Sequence, residues 1–118
     1  MAIHVQIKRI YEIPDDQDGY RMLIDRLWPR GIRKPDAKLD EWNKAIAPSA
    51  ELRKWFGHRE GRFADFSKRY RGELRKKDDE LRRLRKIADK DRLTLLYGAK
   101  SEKINHAVVL RQVLETKE

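Results

Sequence analysis

The sequence predicts an α/β domain, a small and mostly parallel sheet with helices packed on its faces, forming one domain over residues 1–118. Three observations lead there. The runs Met22-Leu23-Ile24 and Leu93-Thr94-Leu95-Leu96-Tyr97 carry no charge, as expected of parallel strands buried on both faces. Between them, apolar residues recur at intervals of three and four with charged residues in the gaps, the pattern of amphipathic helices. A length of 118 residues suits a single hydrophobic core.

Taken in order, Ile3, Val5 and Ile7 alternate with His4, Gln6 and Lys8, which predicts a first strand with one drier face. Ile13-Pro14-Asp15-Asp16-Gln17-Asp18-Gly19 is rich in turn formers and has little to bury, so it reads as a mobile surface loop. The strand at Met22-Leu23-Ile24 gives way at once to Asp25-Arg26-Leu27-Trp28-Pro29-Arg30-Gly31, a strand end opening onto a site. Pro35 and Pro48 bracket Leu39, Trp42, Ala45 and Ile46, whose spacing suits a short helix or a strand. Ser49 is placed to cap a helix with Glu51 in its first turn, Leu52, Trp55 and Phe56 on its inner face and Gly57 at its end. Phe63, Phe66, Tyr70, Leu74, Leu81, Leu84 and Ile87 then mark one long helix, or two interrupted near Gly72. After the strand at 93–97, Ser101 is placed to cap a last helix with Ile104, Ala107, Val108 and Leu114 inside.

Charge and composition narrow the partners. Lys plus Arg is 29 and Asp plus Glu is 20, a net +9 that favours anions. Twelve basic and six acidic residues lie between Lys68 and Arg92, so +6 of that charge sits in one stretch. There is no cysteine, which excludes disulfides, thiolate metal sites and cysteine nucleophiles. No apolar run approaches the roughly 20 residues that span a bilayer. The N-terminus alternates instead of forming a signal peptide, so a cytoplasmic protein without membrane contact is expected. No metal-ligand spacing surrounds His4, His58 or His106, and no cofactor is implied.

Open α/β sheets bind ligands at the carboxyl ends of their strands. Two such junctions carry reactive residues. Around the first, Arg26 and Arg30 are suited to grip a phosphate or carboxylate, with Trp28 as the aromatic to touch a ligand; alternatively, Asp25 forms an ion pair with Arg26 or Arg30 that only pins the loop. At the second, Tyr97-Gly98-Ala99-Lys100-Ser101 leads to Asn105 and His106, where Lys100 and the helix start could hold an anion and the imidazole could handle a proton. His58, just past a helix end, suits either the negative end of the helix dipole or acid–base duty. Gly98-Ala99-Lys100-Ser101 lacks the glycines of a phosphate loop, so nucleotide triphosphatase chemistry is rejected.

Asp18-Gly19-Tyr20-Arg21, Asp25 to Gly31, Leu52-Arg53-Lys54-Trp55-Phe56-Gly57-His58, Phe66 with Tyr70-Arg71, Leu95-Leu96-Tyr97, Lys100 and Asn105-His106-Ala107 together resemble the YeaO-like group of the domain-of-unknown-function family 488. The resemblance implies a small bacterial or archaeal cytoplasmic protein and supplies no reaction. Other branches of that family carry a cysteine at the end of the last strand and a Cys-His-Arg string at the next helix. Tyr97 and Asn105-His106-Ala107 stand in those places here, so only the histidine is shared.

The expectation is a cleft in which Arg26, Arg30 and Lys100, with Trp28, His58 and Asn105 nearby, hold a small anionic molecule. Asp25, His106 or Tyr97 would handle protons if the site is enzymatic. Nucleic-acid binding by a basic helix from Lys68 to Arg92 is the alternative. An interaction protein that docks an acidic partner through the same helix is a third.

Overall fold

A computed structural model of the chain describes residues 3–116. Strands β1 (Val5–Arg9), β2 (Tyr20–Leu23), β3 (Glu41–Trp42) and β4 (Leu93–Tyr97) form one sheet in the order β1-β4-β2-β3. All three pairings are parallel, with Val5 opposite Leu93, Tyr20 opposite Leu93 and Leu23 opposite both Leu96 and Trp42. The strand formed last in sequence is central because it is buried along its whole length. Leu93, Leu95 and Tyr97 join the larger core on one face, while Leu96 joins Ile10, Leu23 and Ala37 on the other. Insertion of β4 between β1 and β2 sets the ends of β2 and β4 side by side, so the segments after Leu23 and Tyr97 emerge together.

The larger core takes its helical side from α2 (Ala50–Phe56), α3 (Phe63–Leu74), α4 (Asp78–Lys90) and α5 (His106–Glu115). Ser49 Oγ accepts from the Leu52 amide at 3.2 Å, and Gly57 closes α2 at φ 51°, a left-handed conformation that favours glycine. Phe56, Phe66 and Tyr70 stack in sequence beneath the sheet ends. Phe56 is core, as expected, but Trp55 is half-buried, with the guanidiniums of Arg62 and Arg69 over its ring.

Two boundaries differ from the sequence reading, and a segment left open between helix and strand is decided. The segment between Pro35 and Pro48 is a single helical turn, α1 (Lys34–Ala37), followed by the two-residue strand β3, because Trp42 packs against Trp28 on the second face of the sheet. The helical interruption falls at Arg75–Lys77, not at Gly72, which sits within α3. Asn105 caps α5, its Oδ1 accepting from the Val108 amide, whereas Ser101 closes a turn of its own onto the Lys103 and Ile104 amides.

The loop before β2 has more to bury than its composition suggested. Asp18 is 2% exposed and accepts from Lys8 Nζ at 3.0 Å, Gln6 Nε2 at 3.1 Å, the Asp15 amide at 3.0 Å and an Arg21 guanidinium nitrogen. Arg21 also donates to the carbonyls of Ala37 and Lys38, so one carboxylate ties the loop, β1, β2 and α1 together. Gly19 follows at φ 65°, where a Cβ would lie 2.3 Å from the Arg92 carbonyl oxygen. Burial alone would raise the Asp18 pKa, but the Asp15 amide, Lys8 and Arg21 outweigh it and hold the group below its ordinary 3.8.

Asp18→Ala leaves the buried Arg21 guanidinium without its carboxylate partner and should cost about 3–5 kcal/mol in urea unfolding. A loss below about 1 kcal/mol, the worth of a surface pair, would contradict that role. Because the folded pKa is depressed, the stabilisation is complete above the unfolded value of 3.8 and disappears as pH falls through the folded value. A titration of unfolding free energy from pH 6 to pH 2 should show this acid limb in the native protein and a weaker one in Asp18→Asn.

Candidate functional site

The side-by-side ends of β2 and β4 open onto a cavity of about 490 Å³. Its walls come from the segment after β2, the end of α2 and the turn that starts α5. Four cationic side chains, Arg26, Arg30, Arg53 and Lys54, line it with two imidazoles, His58 and His106, against one carboxylate, Asp25. Phe56, Phe66 and Trp28 supply an apolar floor and side, and Tyr11 and Leu27 stand at the exposed edge. This size and mixture suit a small molecule with an anionic part.

Asp25 is the pivot. Its Oδ2 accepts from the Gly98 amide at 2.9 Å, and its own carbonyl accepts from Trp42 Nε1 at 2.7 Å. Its Oδ1 lies 3.1 Å from His106 Nε2, but that nitrogen makes its hydrogen bond with the Ile24 carbonyl at 3.0 Å, leaving Oδ1 buried without a hydrogen bond. Both neighbours of Nε2 are acceptors, so Nε2 carries the hydrogen. The alternative of an Asp25 ion pair with Arg26 or Arg30 does not form; the carboxylate lies against His106 instead. Asp25 approaches this closely because residue 98 is glycine; a Cβ there would sit 2.9 Å from Oδ2 and 3.2 Å from Pro29 Cβ.

The cations are held by their backbones or by single bonds. Arg26 Nε donates to the Pro48 carbonyl at 3.1 Å, and its terminal nitrogens make no hydrogen bond among the described residues. The carbonyl of Arg30 is pinned by the Tyr11 hydroxyl at 2.6 Å while the residue itself is exposed. His58, at φ 59°, is exposed beside the Phe56 ring. Arg53 and Lys54 were not singled out as site residues from sequence. Their signal was the string Leu52 to His58, in which the residues alternating with the core positions Leu52 and Phe56 face the cavity mouth.

The remaining expected residues sit differently. Tyr97 is 1% exposed in the core and does not line the cavity, and burial, with Glu102 and Glu12 nearby, pushes its phenol pKa up. Lys100 is exposed and does not line the cavity. Asn105 does line it, but its amide is engaged at both ends, with Val108 and with the Ser101 carbonyl. Trp28 shows the cavity one side of its ring; its Nε1 donates to the Ile32 carbonyl and its ring meets Trp42 edge-on at 5.3 Å. Among the described residues no cluster of His, Asp and Glu is disposed to hold a metal. No helix among them is long and apolar enough to cross a membrane.

Residues 4–118 match a family model described as the inactive DUF488-N3 subclade. The chain is 49% identical to the uncharacterised protein YeaO of Escherichia coli K12, over 97% of this chain and 99% of that protein. It is 42% identical to uncharacterised proteins of Mycobacterium tuberculosis H37Rv and Mycobacterium bovis, over 93% of this chain and 92% of each relative. No solved structure matches.

Gly98→Ala should displace the Asp25 carboxylate and cost about 1–3 kcal/mol, the usual penalty of overpacking. Thermal unfolding measures the loss, and the imidazole signals of His106 in the NMR spectrum should move with it. An alanine variant with unchanged stability and unchanged His106 signals would contradict the close approach.

Proposed function

Since the chain belongs to the YeaO-like group of domain-of-unknown-function family 488, within its inactive DUF488-N3 subclade, we propose that it binds a small anionic molecule and does not turn it over. The observation that carries this reading is the cavity wall, where four Arg or Lys side chains meet a single carboxylate, which accepts from the Gly98 amide and lies against His106. Cations left without carboxylate partners around a concave, partly apolar space are arranged to receive an anion. The subclade's description as inactive agrees with a chain that has no cysteine nucleophile.

Nucleic-acid binding along residues 68–92 is less well supported, because much of that charge is engaged within the fold. Arg71 donates to Gln112, Lys77 to the carbonyls of Ala45 and Ala47, and Arg85 to carbonyls at the end of α5. Arg82 pairs with Asp79, and Arg83 with Glu80 and Glu41. The stretch is also two helices with a break, not one continuous basic rod.

Calorimetric titration at low salt with inorganic phosphate and with adenosine monophosphate tests the proposal. Binding to one site is expected, and Arg26→Ala and Lys54→Ala should each weaken it about tenfold or more, since a hydrogen bond to a charged group contributes about 1.5–3 kcal/mol. Arg75→Ala, in the turn that follows α3 and outside the cavity lining, should leave it unchanged. Anion binding that responds to Arg75→Ala and ignores Arg26→Ala, or tight binding of oligonucleotides alone, would overturn it.

A further inference from the structure

We propose that the cavity selects an oxyanion or small acid that keeps a hydrogen of its own, and that His106 Nδ1 is the acceptor that reads this hydrogen; the inference rests on the anion-binding reading above. Nε2 lies 3.0 Å from the Ile24 carbonyl and 3.1 Å from Asp25 Oδ1, both acceptors, so the ring is locked with its hydrogen on Nε2. A neutral imidazole has one N–H, and Nδ1 then carries a lone pair.

Nδ1 makes no hydrogen bond among the described residues, and the one buried side-chain polar atom without a partner among them is Asp25 Oδ1. Nδ1 is therefore not wholly buried, on a side chain that is 15% exposed and lines the cavity with Arg26, Arg53 and Lys54. The ring has no freedom to turn the lone pair away. Its Nε2 is tethered to the backbone of β2's end, its Cα is the first residue of α5, and the buried Tyr70 ring meets it edge-on at 6.4 Å.

An anion drawn in by the cations thus meets one fixed acceptor. If every oxygen of that anion is also a bare acceptor, the Nδ1 lone pair loses water and gains nothing, and the two lone pairs repel. If the anion carries an O–H or N–H, the acceptor is satisfied. A site built around a fixed polar group rejects the analogue that lacks the matching hydrogen. Hydrogen phosphate and sulfate are the sharpest pair, because both are tetrahedral dianions and only one retains a hydrogen.

Titration of the full chain at pH 8, where phosphate is mostly the dianion that keeps one hydrogen, with phosphate and separately with sulfate, tests this directly. Phosphate should bind about tenfold or more tightly than sulfate. His106→Gln places an amide near the Nε2 position, keeps a donor for Ile24 and removes the Nδ1 acceptor; it should bind both ions with a ratio near one. The tautomer is read independently of any variant by long-range proton–nitrogen NMR, where Nδ1 should be the unprotonated nitrogen. Equal binding of the two ions by the native chain, or a proton on Nδ1 in the free protein, would overturn this inference while leaving the anion site standing. Absence of binding by both ions would overturn the anion site as well.

Discussion

The carboxylate of Asp25 joins the three segments on which the cavity depends. It accepts from the backbone of Gly98, lies against the imidazole at the start of α5, and belongs to the segment that leaves β2. Its position follows from sheet order. β4 is inserted between β1 and β2 in parallel, so residues 24–31 and 98–106 must leave the sheet at the same end and at neighbouring strands. A carboxylate at that point closes the gap between them, provided that the facing residue has no side chain. The approach of Oδ2 to Gly98 is therefore as much a property of residue 98 as of residue 25.

Two carboxylates divide the molecule's charge in opposite ways. Asp18, on the sheet face that carries α1, gathers Lys8, Arg21 and Gln6 around itself and leaves none of its partners free for other work. Asp25, at the strand ends, accepts from a backbone amide and lies against an imidazole, and leaves Arg26, Arg30, Arg53 and Lys54 lining the cavity. The first arrangement is what a buried ion needs for stability. The second leaves cations without carboxylate partners among the described residues, where solvent still reaches them.

Much of this was legible in the chain. The uncharged run at 93–97 marked a doubly buried strand, and the Ser49 and Gly57 signals marked both ends of α2, because caps and burial act on local residues. The junction residues Asp25, Arg26, Trp28, Arg30, Asn105 and His106 were recognisable as a group, and the fold brings all of them to one cavity wall. What sequence did not reveal depends on long-range packing. Trp42, whose spacing suited helix or strand alike, takes a two-residue strand as its ring packs on Trp28, and Asp18 became a buried hub only because β1 supplies Lys8 and Gln6 across the sheet. The separation of Lys100 from the cavity is of the same kind. It precedes α5 by a turn anchored on Ser101, and that turn carries its side chain outward.

Whether the cations around the cavity at the ends of β2 and β4 form one anion site is read from a crystal structure determined from crystals grown in phosphate. A phosphate held between Arg26, Arg53 or Lys54 and the His106 ring is expected, with Asp25 still bonded to the Gly98 amide. Phosphate found only among the arginines of α3 and α4, with Arg26 and Lys54 turned into ion pairs or into solvent, would contradict it.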